Sequence, residues 1–223
     1  MFRIPRWKDV RMHSCPLCHS DDIHAYYEDA HRAYLQCQPC QLVFVDPEHR
    51  LSAQREKAFY DLHENDPNDV GYRRFLSRVC TPMLERVAPH SQGLDFGCGP
   101  GPTLSLMLEE AGHQVALYDI FYHPNEQALA TTYDFMTATE VIEHLHDPHR
   151  VWQQWLNLVK PGGWIGLMTK MVKDVDAFAT WHYKNDLTHV IFFSRHTFEY
   201  LAERDQLELE FIGNDVILLR KPQ

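Results

Sequence analysis

Residues 94–101 have the sequence LDFGCGPG, the strongest motif in the chain. A short apolar run ends in three glycines, at positions 97, 99 and 101. Glycine lets the backbone turn sharply and approach a ligand closely, so the run predicts a strand followed by a ligand-binding loop. A dinucleotide site would favour the spacing G-x-G-x-x-G with a pyrophosphate at the next helix. Here Asp95 precedes the first glycine by two residues, and an acid there repels phosphate and suits a cationic amino-acid group.

A second acid, Asp119, follows Gly101 by eighteen residues, at the end of the predicted strand QVALYD. A carboxylate in that position can accept hydrogen bonds from both hydroxyls of a ribose. The loop, its acid, the intervening helix and Asp119 together predict a site for a ligand with an amino-acid end and a ribose. The alternative interpretation is a tight turn and a chance surface acid.

The region 93–223 alternates predicted strands with predicted helices. Such alternation indicates an α/β fold, a Rossmann-like doubly wound sheet that is mainly parallel and covered on both faces. The last run, LELEFIGNDVILLRKP, predicts an antiparallel hairpin around residues 213–215. Ser194 is a candidate N-cap for a helix over 195–205.

Four motifs within residues 90–223 resemble those of the class I S-adenosylmethionine (SAM)-dependent methyltransferases: LDFGCGPG, ALYD, YDFMTATEVIEHL and LVKPGGWIGLMT. The E-V-x-E-H sequence is most similar to the ubiquinone-type O-methyltransferase branch. The resemblance implies a seven-stranded sheet, SAM as cofactor and methyl transfer. It places Ile120 or Phe121 beside the adenine. The other residues it implies at the cofactor are Asp95, Gly97, Cys98, Gly99, Gly101, Asp119, Thr139 and Glu140.

One departure from the family pattern concerns the third strand. Only 14 residues separate Asp119 from Asp134, where family members fit a helix and a strand. The segment HPNEQALATTY is expected to form a shortened version of this helix and third strand.

The fourth strand runs into Glu140, Glu143 and His144, and a later loop over 181–189 carries His189. The carboxyl ends of parallel strands face the ligand crevice, so these side chains are expected near the reaction. In one interpretation all four bind a divalent cation that activates a substrate oxygen. In a second, His144 or His189 is a metal-free general base, with Glu143 beside it. In a third, Glu140 contacts SAM and the histidines only pack.

The N-terminal cysteines have the spacing Cys15-x2-Cys18-x18-Cys37-x2-Cys40. Two CxxC pairs at this separation predict a zinc ribbon, with four thiolates closing a structural tetrahedral site. The ribbon is predicted to span residues 1–47. It would either contact the substrate or only cap the catalytic domain.

Residues 48–92 are predicted to form a helical linker, broken near 65–68, that closes over the cofactor as a lid. Its candidate lining residues are Tyr60, His63, Asn65 and Tyr72, of which Tyr72 is assigned to the cofactor. The alternative is ordinary packing of a surface helix. The methyltransferase domain then occupies residues 93–223.

The formal net charge of -10 argues against a long nucleic acid as substrate, because phosphate-binding proteins usually present a basic face. A small-molecule methyl acceptor is expected; RNA or protein methylation, or a SAM-binding module without turnover, are the alternatives. No apolar run approaches the ~20 residues that cross a membrane. The N-terminus lacks the apolar segment of a secretory signal. We therefore expect a cytoplasmic protein without membrane contact.

Overall fold

The computed structural model describes residues 14–62 and 66–223, so His63 and Asn65 lie outside the described residues. The described strands are β1 Ile23–Glu28, β2 Ala33–Cys37, β3 Val43–Val45, β4 Gln92–Phe96, β5 Gln114–Tyr118, β6 Tyr133–Thr139, β7 Val159–Met168, β8 Ile191–Phe192, β9 Glu208–Ile212 and β10 Val216–Arg220. The described α-helices are α1 Ala53–Tyr60, α2 Val70–Leu84, α3 Thr103–Glu110, α4 Pro148–Leu158, α5 Val175–Ala179 and α6 Arg195–Asp205.

The predicted α/β sheet is confirmed, with the strand order β5-β4-β6-β7-β10-β9. The first four strands are parallel, while β10 runs antiparallel to both β7 and β9. The terminal hairpin therefore adds one antiparallel strand, as predicted. After β5 the chain crosses to the other side of β4, and ligands of such sheets bind at this reversal, outside the carboxyl ends of the strands.

Among the described residues this sheet has six strands, one fewer than the seven that the family resemblance implies. The segment after β5 forms a bridge between Asp119 and His123 and then a 3₁₀ helix, Glu126–Ala130. It returns directly to β6 without a strand of its own. Fourteen residues are too few for a helix, a strand and two turns, so β5 forms the edge of the sheet.

Alternate residues of the central strands pack into two separate cores, one on each face. Phe135, Met168 and Leu218 pack with α2 and α3 on one face. Met136 and Leu167 pack on the other face with the tryptophans of α4 and with α6. This alternation is the physical signature of a sheet covered on both sides.

The helix boundaries follow local signals. Ser194 accepts a hydrogen bond from the backbone of Thr197 and forms a capping box, which confirms it as the N-cap of α6. Helix α4 ends at Leu158, and residues 159–163 already belong to β7, earlier than the predicted strand start at 164. Among the described residues, no helix is long and apolar enough to cross a membrane.

The N-terminal cysteine region forms a second sheet of order β1-β2-β3-β8. Its fourth strand, β8, comes from the region predicted to be the methyltransferase domain, and Val43 pairs with Phe192. The buried side chains of β2 and β3 belong to the same core as α4 and α6. Residues 14–47 thus pack continuously onto the larger sheet.

Candidate active site

The glycine loop joins β4 to α3 at the point where the sheet order reverses. Gly97 and Gly99 have φ values of +72° and +66°, in the left-handed region that favours glycine. A Cβ on Gly97 would lie 2.5 Å from Cγ2 of Val141, so the loop also passes very close to the segment after β6. The Gly97 amide donates to the Tyr118 carbonyl at 2.7 Å, which holds the loop against the end of β5.

Asp95 lies on β4 just before this loop and is 3% exposed. The hydroxyl of Thr137 on the neighbouring strand donates to its carboxylate at 2.9 Å. Burial raises the pKa of Asp95 to about 7, although hydrogen bonds from Thr137 and the Ser105 backbone oppose the shift. A buried carboxyl in this state is suited to a cationic partner that would hold it ionised.

Asp119 lies at the end of β5, and its two carboxylate oxygens tie together the loops around it. One oxygen accepts from the Gly99 amide at 3.0 Å, and the other accepts from the amides of Phe121 and Tyr122 at 2.8 and 3.0 Å. The carboxylate is therefore fixed beside the glycine loop. Ile120, the next residue, is 69% exposed.

Helix α1 lies over these loops. The Tyr60 ring contacts the rings of Phe121 and His144, with centroids 5.9 and 5.3 Å apart. The Tyr122 hydroxyl donates to Asp61 at 2.6 Å. Tyr72, on α2, is half-buried, and its pKa is raised to about 12 by burial and by the nearby carboxylates of Asp95 and Glu140. These contacts place both helices of the linker at the edge of the glycine-loop site.

The chain leaves β6 through a strained turn. Glu140 has a φ of +52°, a left-handed conformation that is uncommon for a residue with a side chain and is concentrated at functional sites. Beside it, the buried hydroxyl of Thr139 has no hydrogen-bond partner in the described structure. Orphaned buried polar atoms are rare, so this hydroxyl is available to a ligand.

Glu143, His144 and His189 come together, with one ligand atom from each lying within 4.8 Å of the others. Nδ1 of His144 donates to the Thr188 carbonyl at 3.2 Å, and Nδ1 of His189 donates to the Tyr183 carbonyl at 2.7 Å. In the neutral form of each ring this bond leaves the lone pair on Nε2, which is the arrangement of metal-binding histidines. Burial lowers the pKa of His189, which favours its neutral form.

Glu143 is 1% exposed, and its Oε2 atom has no hydrogen-bond partner among the described residues. Burial, reinforced by the Glu140 carboxylate, raises its pKa to about 8. The Tyr183 hydroxyl donates to Oε1 of Glu143 and lies 3.2 Å from Oε2 of Glu140. Glu140 is not part of the three-residue group, so its carboxylate lies beside the group with Tyr183 between them.

Two residues of this site were not singled out from the sequence. Tyr183 lies in the predicted covering loop, but only the fold shows that its hydroxyl bridges two glutamates. Thr137 pairs in register with Asp95 across two parallel strands. That register, which the sequence does not state, brings its hydroxyl to the acid.

The four N-terminal cysteines also converge. Their sulfur atoms all lie within 4.8 Å of one another, with Cys15 3.6 Å from Cys40 and Cys18 3.4 Å from Cys37. Zn–S bonds of about 2.3 Å place the sulfurs of a tetrahedral site about 3.8 Å apart. The arrangement therefore fits one zinc ion.

Comparison with known proteins assigns the larger sheet to a family. Residues 71–210 match the family model described as "Methyltransferase domain". The ubiquinone biosynthesis O-methyltransferase of Serratia proteamaculans is 36% identical over 91 residues, covering 41% of this chain and 38% of that protein. The enzyme of the same name from Pectobacterium carotovorum is 30% identical over 129 residues, covering 51% and 54%. The chain spans about half the length, or less, of these relatives.

Solved structures show the same fold at low identity. The 1,6-didemethyltoxoflavin-N1-methyltransferase of Burkholderia thailandensis, with bound 1,6-didemethyltoxoflavin and S-adenosylhomocysteine, superposes with a TM-score of 0.53 and 17% identity. The match covers 90% of this chain and 100% of that one. An O-methyltransferase family protein from the same organism gives a TM-score of 0.51 and 12% identity, covering 79% and 62%.

Proposed function

The chain belongs to the methyltransferase domain family, and from that membership we propose that it catalyses SAM-dependent O-methylation of a small molecule. The similarity to proteins named as O-methyltransferases supports oxygen as the atom that accepts the methyl group. The net charge of -10 supports a small acceptor over a nucleic acid, because phosphate polymers are bound by basic faces.

The residues around the glycine loop fit the cofactor. We assign Asp95 to the ammonium group of SAM and Asp119 to its ribose, with Phe121 and Ile120 beside the adenine. Gly97, Cys98, Gly99 and Gly101 supply the backbone against which it lies. The orphaned Thr139 hydroxyl, the Glu140 carboxylate and Tyr72 complete the set on the β6 side. SAM, when bound, supplies an electrophilic methyl group, so the protein's main task is to align an acceptor oxygen with it.

The observation that carries the chemistry is the convergence of Glu143, His144 and His189 around an unpartnered buried carboxylate oxygen. We propose that these three residues bind a divalent cation; mixed carboxylate and imidazole donors suit magnesium, manganese, iron or zinc. Such a cation lowers the pKa of an oxygen bound to it. The predicted set of four ligands is reduced to three, because Glu140 lies outside the group.

Hydrogen bonds within the protein orient this site before the acceptor arrives. Backbone carbonyls accept from Nδ1 of both imidazoles, so in the neutral rings Nε2 is unprotonated. The Tyr183 hydroxyl orients Glu143 and lies close enough to Glu140 to couple the two carboxylates. If the cation is absent, neutral His189 is the group that would take the acceptor proton as a general base.

We also propose that Cys15, Cys18, Cys37 and Cys40 bind a structural zinc ion. Four thiolates leave no coordination position open, so this site would stabilise residues 14–47 rather than take part in the chemistry.

Calorimetric titration with S-adenosylhomocysteine tests the cofactor proposal, and metal analysis of the purified protein tests both ion sites. We expect micromolar binding, one tightly held zinc, and a second site for Mn²⁺ that Glu143→Gln and His189→Gln each abolish. A glutamine at Glu199, exposed on α6, is the matched control. Absence of binding at millimolar S-adenosylhomocysteine would overturn the proposed function. Activity in the absence of added divalent cations, after removal of all but one zinc, would favour the general-base interpretation.

A further inference from the structure

A buried guanidinium links the cysteine region to the active-site loop. Arg32 lies between β1 and β2 and is 3% exposed. Its Nε donates to the Tyr34 hydroxyl at 3.2 Å. Its two terminal nitrogens donate to four backbone carbonyls of one short segment: those of Lys184, Asp186 (3.2 Å), Leu187 (3.4 Å) and His189 (2.9 Å).

These contacts use the full donor capacity of an arginine. A guanidinium has five N–H groups in a fixed plane, and the five acceptors here match that number. A lysine in the same place has three donors at a single point and cannot reach acceptors spread over six residues. The planar fork, and not the charge alone, therefore holds segment 184–189 in its turn.

A second contact from the same hairpin fixes the start of this segment. The Lys184 ammonium, 6% exposed, lies 3.0 Å from the carboxylate of Asp29. Asp29 in turn accepts from the Arg32 amide at 2.9 Å. Side chains from the turn between β1 and β2 thus hydrogen-bond to segment 184–189 at both of its ends.

Segment 184–189 determines the position of active-site residues. It ends at His189, whose Nδ1 donates to the carbonyl of Tyr183, the residue just before the segment, and this hydrogen bond sets the imidazole tautomer. Immediately after it, the Val190 amide donates to the Glu143 carbonyl at 2.9 Å, and the Val190 carbonyl accepts from Val45 of β3. A shift of this segment therefore moves His189 and Glu143 relative to each other.

We infer that Arg32 is a positioning residue: its five hydrogen bonds hold the His189 imidazole in the orientation and tautomer that the active site uses. This rests on the proposed function in so far as that function gives His189 its role. The side-chain hydrogen bonds of Arg32 reach Tyr34 and residues 184–189 and not the glycine loop, so Arg32 acts on the acceptor side of the site and not on cofactor binding.

The test compares Arg32→Lys and Tyr34→Phe with the wild-type protein. Long-range ¹H–¹⁵N spectra of the histidine rings, assigned with His189→Gln, report the tautomer of His189. We expect wild type to show a single tautomer protonated at Nδ1. Arg32→Lys should show a tautomeric mixture and at least tenfold faster amide exchange over 184–190, with affinity for S-adenosylhomocysteine unchanged within twofold. Tyr34→Phe, which keeps the core ring, should shift both readouts less, in the same direction.

Arg86→Lys is the matched control, because Arg86 bonds the Pro82 carbonyl and Glu210 elsewhere in the fold. It should leave the His189 ring spectrum unchanged. The inference would be overturned if Arg32→Lys and Tyr34→Phe both showed the same histidine ring spectra and the same amide exchange as the wild-type protein. If Arg32→Lys does not fold, a wild-type His189 ring spectrum in Tyr34→Phe is by itself enough to overturn the inference. A wild-type protein that binds no S-adenosylhomocysteine contradicts the proposed function instead, and the ring spectra still decide the role of Arg32.

Discussion

Replacing Asp95 with asparagine should stabilise the cofactor-free protein at alkaline pH. The pKa of the buried carboxyl is raised from 3.8 to about 7 by loss of solvation, a shift of about three units. Each unit corresponds to 1.36 kcal/mol, so ionising this group in the folded protein costs about 4 kcal/mol. Asparagine keeps an oxygen that can accept from Thr137 and carries no charge to desolvate.

The sign of the pH dependence follows from the order of titration. The unfolded chain releases the Asp95 proton near pH 4, whereas the folded protein keeps it to about pH 7. Between these values the folded state binds more protons, so its free energy of unfolding decreases as the pH rises. The difference between Asp95→Asn and wild type should therefore be near zero at pH 4 and reach about 4 kcal/mol at pH 8. Taking this difference removes the contributions of the histidines.

The same carboxyl should make cofactor binding pH-dependent. Its ionised form lowers the stability of the free protein but raises the affinity for the cofactor. If Asp95 pairs with the ammonium group, wild-type affinity for S-adenosylhomocysteine falls up to tenfold per unit below pH 7, and Asp95→Asn binds weakly at every pH. Urea unfolding at pH 4 and 8 measures the effect on stability, and calorimetry from pH 5.5 to 8 measures the effect on binding. Thr137→Val removes a donor to the Asp95 carboxylate, so it should raise the pH below which the affinity falls. Tight, pH-independent binding by Asp95→Asn would refute the reasoning.

Three further predictions concern other parts of the site. Gly97→Ala should lower affinity for S-adenosylhomocysteine at least tenfold, because its Cβ would lie 2.5 Å from Val141. Gly213→Ala, with a similar φ of +63° and no atom within 4 Å of the added carbon, should leave the affinity unchanged; equal losses in the two variants would contradict the steric argument. Tyr183→Phe should weaken Mn²⁺ binding several-fold and cofactor affinity less, since its hydroxyl donates to Glu143 and lies farther from Glu140; calorimetry with each ligand measures this, and unchanged Mn²⁺ binding would contradict it. Cys37→Ser should lower the zinc content of the purified protein below one equivalent and its midpoint of thermal unfolding by several degrees; a full equivalent of zinc would contradict the four-cysteine site.

The sequence predicts the strands and turns around the glycine loop well because their signals are local. Glycines at fixed spacing, an acid two residues before them and an acid at the end of the next strand each act within a few residues of their position. The N-cap Ser194 and the two CxxC pairs are local in the same sense. Their geometry follows from short-range backbone rules, so the structure confirms the elements that carry them.

What the sequence does not predict depends on contacts between distant segments. The hydrogen bonds from Arg32 cross more than 150 positions to reach Lys184, and no periodicity marks either residue. Strand β8 has two residues and is defined only by its pairing with β3. The missing third strand is a milder case: the short spacing was evident, but the family pattern still suggested a strand there.

The pairing of β3 with β8 has a consequence for synthesis of the chain. The partners of residues 43–45, at 191–192, emerge from the ribosome almost 150 residues after them. At elongation rates of roughly 5–20 residues per second, that interval is on the order of 7–30 s. Throughout it β3 can pair with β2 on one side, but its other edge lacks its native partner β8. The zinc ion proposed for the four cysteines, if captured early, would hold the nascent β1–β3 strands together during this delay, so its contribution would begin during synthesis.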